Sequence, residues 1–370
     1  MDGEKVSHFI RSTPALQAAC EKARLEGILA LDTEFVWRST YRPQLGIVQL
    51  GCAADCWALD CQTGVHVEVL RELVESAAVT KILHDARQDL LHLHHYTGAW
   101  PVNVFDTQLA AAFAGFRVGI GLQQLLFDAI NVGLPKTETL TDWMHRPLTA
   151  AQIDYALDDV RYLPELRSAL LARMDEFGTR AWFEEDSLKY GDEAFYEEGR
   201  PERAWLRMKT HRVRLDGRGR AILRALAARR EELAQDWNLP RSWLGDDDSL
   251  AQIAAQGEVG RLRHRVTEGR GEVLRAQYAQ VLRVAAETPP EDWPDDPHRH
   301  YIQEVCESAS RAVEWLAERA KTLHVDASLI ANRATVTAYV DDVMDETNPL
   351  AHGWRYEVVG REMAERFGVD

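Results

Sequence analysis

The spacing of hydrophobic and polar positions changes period along the chain. Residues 28–35, ILALDTEF, are an apolar run interrupted by two acids, the pattern of a buried strand. LGIVQLGC at 45–52 and CWALDC at 56–61 predict two more strands joined by a short polar turn, a hairpin. Strand and helix signals then alternate. KILH at 81–84 precedes a helical stretch from Asp85 to His95, and PVNVFD at 101–106 precedes another that starts near Thr107. A meander followed by alternating units predicts an α/β domain with a mixed sheet. From Thr149 onward nearly everything has helical periodicity. Ile222, Leu226, Leu233 and Trp237 fall on one helical stripe, and Val313, Leu316, Ala320 and Leu323 on another. The segment TPPEDWPDDPH at 288–298 holds four of the thirteen prolines and reads as a linker between two helical units.

Composition narrows the class. The 370 residues suggest two or three domains at roughly 150 residues each, and 46% apolar with 28% charged residues argues against wholesale disorder. Five cysteines, an odd number, do not form a disulfide framework. No apolar run approaches bilayer length, and the acidic, polar start MDGEKVSHFI does not read as a secretory signal. The expectation is a cytoplasmic protein with no membrane and no obligate protein partner. A net charge of −16 would argue against a nucleic-acid binder if it were evenly spread. It is not. Residues 184–202 carry eight acids against Lys189 and Arg200, a net of −6, whereas 203–230 carry ten bases against Asp216, a net of +9. Such a reversal marks a domain junction, and the basic run is either a solvated helix face or a phosphate-binding one. A second basic stretch, 261–283, adds a net of +4.

Asp32 and Glu34 lie two apart on a predicted strand, so both side chains point to one face. Two carboxylates leaving an apolar strand together are costly unless a cation neutralises them or the strand end is solvated. Tyr155 and Asp159 are four apart on a predicted helix, as are Asp85 and Asp89. Oxygen-only ligand sets suit Mg²⁺ or Mn²⁺. Two such ions, roughly 3.5–4 Å apart, stabilise both the attacking and the leaving oxygen of a phosphoryl displacement. The tyrosine one turn before the last acid can orient, or help deprotonate, the attacking water.

These motifs resemble the DEDD 3′→5′ exonucleases and, within them, ribonuclease D. They are LDTEFVWRSTYRPQLGIVQL (31–50), KILHDARQDLLHL (81–93) and YALDDVRYL (155–163), the last with the Tyr-x3-Asp spacing of the tyrosine subclass. VFDTQLAAAF (104–113) and KTETLTDWMHRPLTAAQIDYA (136–156) match as well. Residues 205–287 look like an HRDC domain, and 312–361 like a second, more divergent copy. The resemblance implies an α/β RNase H-like exonuclease domain at 1–202, followed by two all-α HRDC-like domains at 203–287 and 299–370 joined by the Pro-rich linker at 288–298. It implies Asp32, Glu34, Asp89 and Asp159 as ligands of two divalent ions, with Asp32 bridging them and Tyr155 acting on the water. The implied activity is a metal-dependent 3′→5′ exoribonuclease that releases nucleoside 5′-monophosphates from RNA with a free 3′ end, tRNA precursors included. Arg212, Arg220 and Arg224 are the candidate RNA contacts on the basic run. A DNA exonuclease and a catalytically silent nucleic-acid-binding protein are the competing readings.

Other features carry less. Cys52, Cys56 and Cys61 lack zinc-site spacing and read as core or surface residues. His92, His94 and His95 read as surface or packing residues, and the His84-Asp85 pair lacks further ligands. Asp106 opens a helix and reads as an N-cap, with an active-site role open. The extra acids Asp85 and Asp158 either tune metal affinity or are merely solvated, as most surface acids are. Lys136 and Arg146 either touch phosphate or pair with Asp142.

Overall fold

Alternation along β2 builds two cores on one strand. In β2 (Ile28–Val36), Ala30 packs into one hydrophobic cluster while Leu29 and Leu31 pack into another, so the strand is covered on both faces. The structure, a computed structural model, describes residues 7–37, 39–53, 55–134, 141–196, 199–209, 213–260, 262–295 and 301–369. Among these, β1 (Ser7–Ile10), β2, β3 (Gln44–Gly51), β4 (Cys56–Asp60), β5 (Thr80–Leu83) and β6 (Val104–Asp106) form one sheet in the order β1-β4-β3-β2-β5-β6. β3 and β4 pair antiparallel; β1–β4, β2–β5 and β5–β6 pair parallel, so the sheet is mixed, as the meander and alternating units predict. The short β1 falls in a segment whose polar start hides it from hydrophobic patterning.

The helices around the sheet are α1 (Thr13–Glu26), α2 (Glu68–Val74), α3 (Arg87–Thr97), α4 (Thr107–Phe113), α5 (Leu122–Ile130), α6 (Ala150–Arg161), α7 (Leu163–Phe177) and α8 (Arg180–Ser187). α6 starts with a capping box: Thr149 Oγ1 accepts from Gln152 N–H at 3.2 Å, and Thr149 N–H donates to Gln152 Oε1 at 2.8 Å. α3 begins two residues later than expected. Asp85 sits in the preceding turn with left-handed backbone, φ 58°, so it is not one helical turn before Asp89.

The described chain divides into two compact units. One comprises residues 1–36, 45–196 and 301–370; the other comprises 37–44 and 197–300. In the second, α9 (Gly217–Trp237), α10 (Asp247–Gln256) and α11 (Glu268–Ala285) enclose a core that includes Ile222, Leu226, Leu233 and Tyr278. Tyr41 is tied into this unit, its hydroxyl donating to buried Glu231 at 2.5 Å while Arg241 Nε donates to the same carboxylate at 2.5 Å. The C-terminal helices α12 (Gln303–Thr322), α13 (Ala327–Ile330), α14 (Arg333–Asp341), α15 (Gly353–Arg355) and α16 (Arg361–Phe367) belong to the first unit. Leu316, Ile330, Val336 and Trp354 lie in the same cluster as Ala30, Phe113 and Leu170. Among the described residues no helix is long and apolar enough to cross a membrane.

Candidate active site

Asp32 and Glu34 leave one face of β2, and α6 brings Asp159 to them. One carboxylate oxygen from each lies within 4.8 Å of the other two; among the described residues no second group of three His, Cys, Asp or Glu side chains is this close. Asp89, in the first turn of α3, stands beside this triplet rather than within it. After burial, the Asp89 charge is the strongest influence on the Asp32 carboxyl, ahead of Asp159 and Glu34. Burial and this mutual repulsion push Asp32 well above the usual carboxylate range. Burial, then the charges of Asp159 and Asp89, push Glu34 up to about 8. Burial, relieved in part by Thr33, leaves Asp89 at about 7, and burial with the Asp158 charge leaves Asp159 at about 6. Among the described residues, the charges that weigh most on these four values are those of other acids. Four half-buried acids that repel one another are a donor set that fits hard divalent cations.

Each of three carboxylates has a neutral donor. Gln49, fully buried in β3, donates from Nε2 to Asp32 Oδ2 at 3.2 Å, and its own Oε1 has no partner among the described residues. The Trp143 side chain hydrogen-bonds Glu34. Its approach depends on Gly46, where a Cβ would meet the Trp143 carbonyl oxygen at 2.5 Å. Thr33 donates its hydroxyl to Asp89. Tyr155 is half-buried on α6, and burial followed by the charges of Asp159, Glu34 and Asp32 raises its pKa. Its hydroxyl therefore keeps its proton in this field and suits orienting a water better than deprotonating one.

Several neighbours have structural roles. Asp106 is the N-cap of α4, accepting from Gln108 N–H at 2.8 Å and Leu109 N–H at 3.3 Å. It also accepts from Asp85 and Ala86 N–H, both at 3.1 Å, and from the Tyr190 hydroxyl at 2.6 Å. Asp85 itself is exposed, as expected of a solvated acid. Asp158 is not solvated: it pairs with Arg161, which also holds Asp154 at 2.7 Å. Arg146 pairs with buried Asp60 at 2.6 Å rather than with Asp142 and also donates to the carbonyls of Trp143 and Gly46. Lys136 lies outside the described residues. Cys52 and Cys56 are buried in the sheet core, and Cys61 is partly buried. His84 bonds Thr107 Oγ1 at 2.9 Å and the Ile120 carbonyl at 3.1 Å.

On the basic run, Arg212 lies outside the described residues. Arg220 Nε donates to the Pro294 carbonyl at 3.0 Å and Arg224 Nη2 to the Asp292 carbonyl at 3.2 Å, so both guanidinium groups tie α9 to the Pro-rich segment. Arg230 is buried against Asp247 at 2.9 Å, while Arg214 and Arg218 are exposed. Gln49 was visible in the sequence as the one amide in the apolar run LGIVQL. The roles of Thr33, His92, Trp143 and Tyr190 depend on tertiary contacts that no local pattern encodes.

A family model described as 3′-5′ exonuclease matches residues 7–175. The chain is 33% identical over 365 residues to ribonuclease D of Acidiphilium cryptum, covering 96% of this chain and 91% of that protein. It is 38% identical over 252 residues to ribonuclease D of Desulfotalea psychrophila, covering 68% and 67%. The crystal structure of Escherichia coli RNase D, described as an exoribonuclease involved in structured RNA processing, superposes with a TM-score of 0.82 at 24% identity. It covers 99% of this chain and 100% of that one.

Proposed function

This chain belongs to the ribonuclease D family, and from that premise we propose that it is a divalent-metal-dependent 3′→5′ exoribonuclease releasing nucleoside 5′-monophosphates. Its substrates are RNAs with a free 3′ end, including tRNA and other stable RNA precursors. The observation that carries the reading is the half-buried triplet of Asp32, Glu34 and Asp159, with Asp89 beside it, in which the charges that weigh most on Asp32 and Glu34 among the described residues are those of the other acids. Asp32, Glu34, Asp89 and Asp159 would hold two Mg²⁺ or Mn²⁺ ions. Bound there, the ions would supply charge neutralisation for the attacking and leaving oxygens. Tyr155 holds the water in line with the terminal phosphodiester. The water oxygen bonds phosphorus, the P–O3′ bond breaks, and the leaving 3′ oxygen takes a proton. The terminal nucleotide departs with a 5′-phosphate, and the shortened RNA keeps a 3′-hydroxyl.

The domain reading extends the proposal. Residues 1–202 form the exonuclease domain of the tyrosine subclass, with an RNase H-like sheet. Residues 203–287 form an HRDC domain and 288–298 a linker, and 299–370 are a second HRDC-like segment whose described helices pack into the core of the first unit. The basic run 203–230 contacts phosphates without reading sequence. Exposed Arg214 supports this more directly than Arg218, Arg220 and Arg224, each of which donates to a backbone carbonyl. Asp32→Asn tests the catalytic part. It should lower hydrolysis of a short RNA by orders of magnitude while the protein stays folded, and excess chelator should abolish the parent's activity. Robust hydrolysis by Asp32→Asn, or by the parent in excess chelator, contradicts the assignment.

A further inference from the structure

β2 presents chemistry on both faces. Asp32 and Glu34 take one face; Thr33 and Phe35, one residue out of phase, take the other. On α3, Asp89 and His92 are three residues apart and share a helical face. These two faces meet. The Thr33 hydroxyl donates to Asp89 Oδ1, the Thr33 N–H donates to the same carboxylate, and Thr33 Oγ1 lies 3.2 Å from His92 Nδ1. The Phe35 ring meets the His92 ring edge-on at 4.1 Å. Thr33 and His92 are 5% and 3% exposed, so water does not compete for these bonds.

Proton bookkeeping fixes the direction of the chain. A hydroxyl has one proton, and a carboxylate that binds a cation has none to give. Thr33 therefore donates to Asp89, its oxygen is left as an acceptor, and His92 must present Nδ1–H to it. We infer that Thr33 and His92 are positioning residues, a relay from His92 Nδ1–H through the Thr33 hydroxyl that fixes the Asp89 carboxylate beside Asp32 and Glu34. Oδ1 of Asp89 is thereby held by the Thr33 hydroxyl. The cost of losing such a partner is a misoriented ligand, which weakens cation binding without removing any ligand atom. The inference rests on the reading of Asp89 as a metal ligand.

Calorimetric Mn²⁺ titration of the full chain tests the relay, with thermal unfolding recorded for every variant. Thr33→Val keeps the side-chain shape and deletes the hydroxyl; it should bind Mn²⁺ about 10- to 100-fold more weakly, whereas Thr33→Ser should stay within about threefold of the parent. His92→Phe keeps a ring against Phe35 and deletes the donor. It should weaken binding alone but add nothing in the Thr33→Val background, because the relay is already broken. In the parent protein, ¹⁵N resonances of the His92 ring should report a protonated Nδ1. Parental Mn²⁺ affinity in Thr33→Val, additive losses in the double variant, or an unprotonated Nδ1 would each overturn the relay. Asp89→Asn separates the two readings. If it binds Mn²⁺ like the parent, the ligand assignment itself fails; if it loses binding while Thr33→Val keeps it, only the relay fails.

Discussion

Tyr155 shows how one oxygen atom can be separated from the charges around it. Its hydroxyl lies in the field of Asp159, Glu34 and Asp32, so removing it leaves every carboxylate in place. Tyr155→Phe should lower kcat by about 10²- to 10⁴-fold while the Mn²⁺ isotherm stays near that of the parent. A lost isotherm would make Tyr155 a structural support instead. The raised carboxyls also fix a pH dependence. Glu34, Asp89 and Asp159, at about 8, 7 and 6, bind protons more tightly folded than unfolded. Their contribution to stability is complete below the unfolded values of about 4 and is lost as pH rises through about 6 to 8. In chelator, the thermal midpoint should therefore fall from about pH 5 to pH 8, and added Mg²⁺ or Mn²⁺ should raise it most at the alkaline end. A midpoint that climbs over this range in chelator would show that these acids are not buried together. At this scale the sequence was most informative where a period exists. Two residues along a strand placed Asp32 with Glu34, and four along a helix placed Tyr155 with Asp159. Asp158 was misjudged because its partner, Arg161, competes with solvent in a way that composition does not reveal.

Helix ends decide how the second motif is held. The pattern starts a helix at Asp85, but the chain turns through a left-handed residue there and α3 begins at Arg87. The reason is Asp106, whose two carboxylate oxygens take the N–H groups of Asp85 and Ala86 as well as those of Gln108 and Leu109. One buried side chain thus fixes the turn before α3 and the start of α4, a link between segments twenty residues apart that sequence spacing cannot encode. Asp106→Ala would strand these donors in a buried setting. It should destabilise the fold by about 2–4 kcal/mol in urea denaturation, beyond the loss expected for a single helix cap. Tyr190→Phe, which removes only the hydroxyl bonded to Asp106 at 2.6 Å, should cost about 1–2 kcal/mol. Asp106→Ala at parental stability would reduce Asp106 to an exposed cap.

Charge reversal near residue 202 and the proline cluster at 288–298 read as breaks in the chain, but which segments pack together was not legible. Residues 301–370 share a core with the sheet, and Tyr41, between two strands of that sheet in the chain, is tied to Glu231 and Arg241. Helical periodicity identified the stripe of Val313, Leu316, Ala320 and Leu323 without naming the surface that would cover it. A chain ending at residue 300 loses Leu316, Ile330, Val336 and Trp354 from that core. At about 1.5–3 kcal/mol per buried large apolar side chain, this loss is comparable to the whole stability of a domain. The truncated chain should therefore lack a cooperative unfolding transition in circular dichroism; a sharp transition near the parental midpoint would show that the segment is dispensable. Arginine substitutions at exposed sites are for this reason a cleaner probe of RNA affinity than removal of whole segments.

The most direct measurement for the whole account follows one RNA labelled at its 5′ end, alongside the same RNA labelled at its 3′ end, with and without Mg²⁺ or Mn²⁺. A 3′→5′ exoribonuclease converts the 5′ label into a ladder shortening one nucleotide at a time and releases the 3′ label at once as a nucleoside 5′-monophosphate, only when the cation is present. Immediate release of a 5′-labelled mononucleotide, internal cuts, or digestion that persists in excess chelator would contradict it.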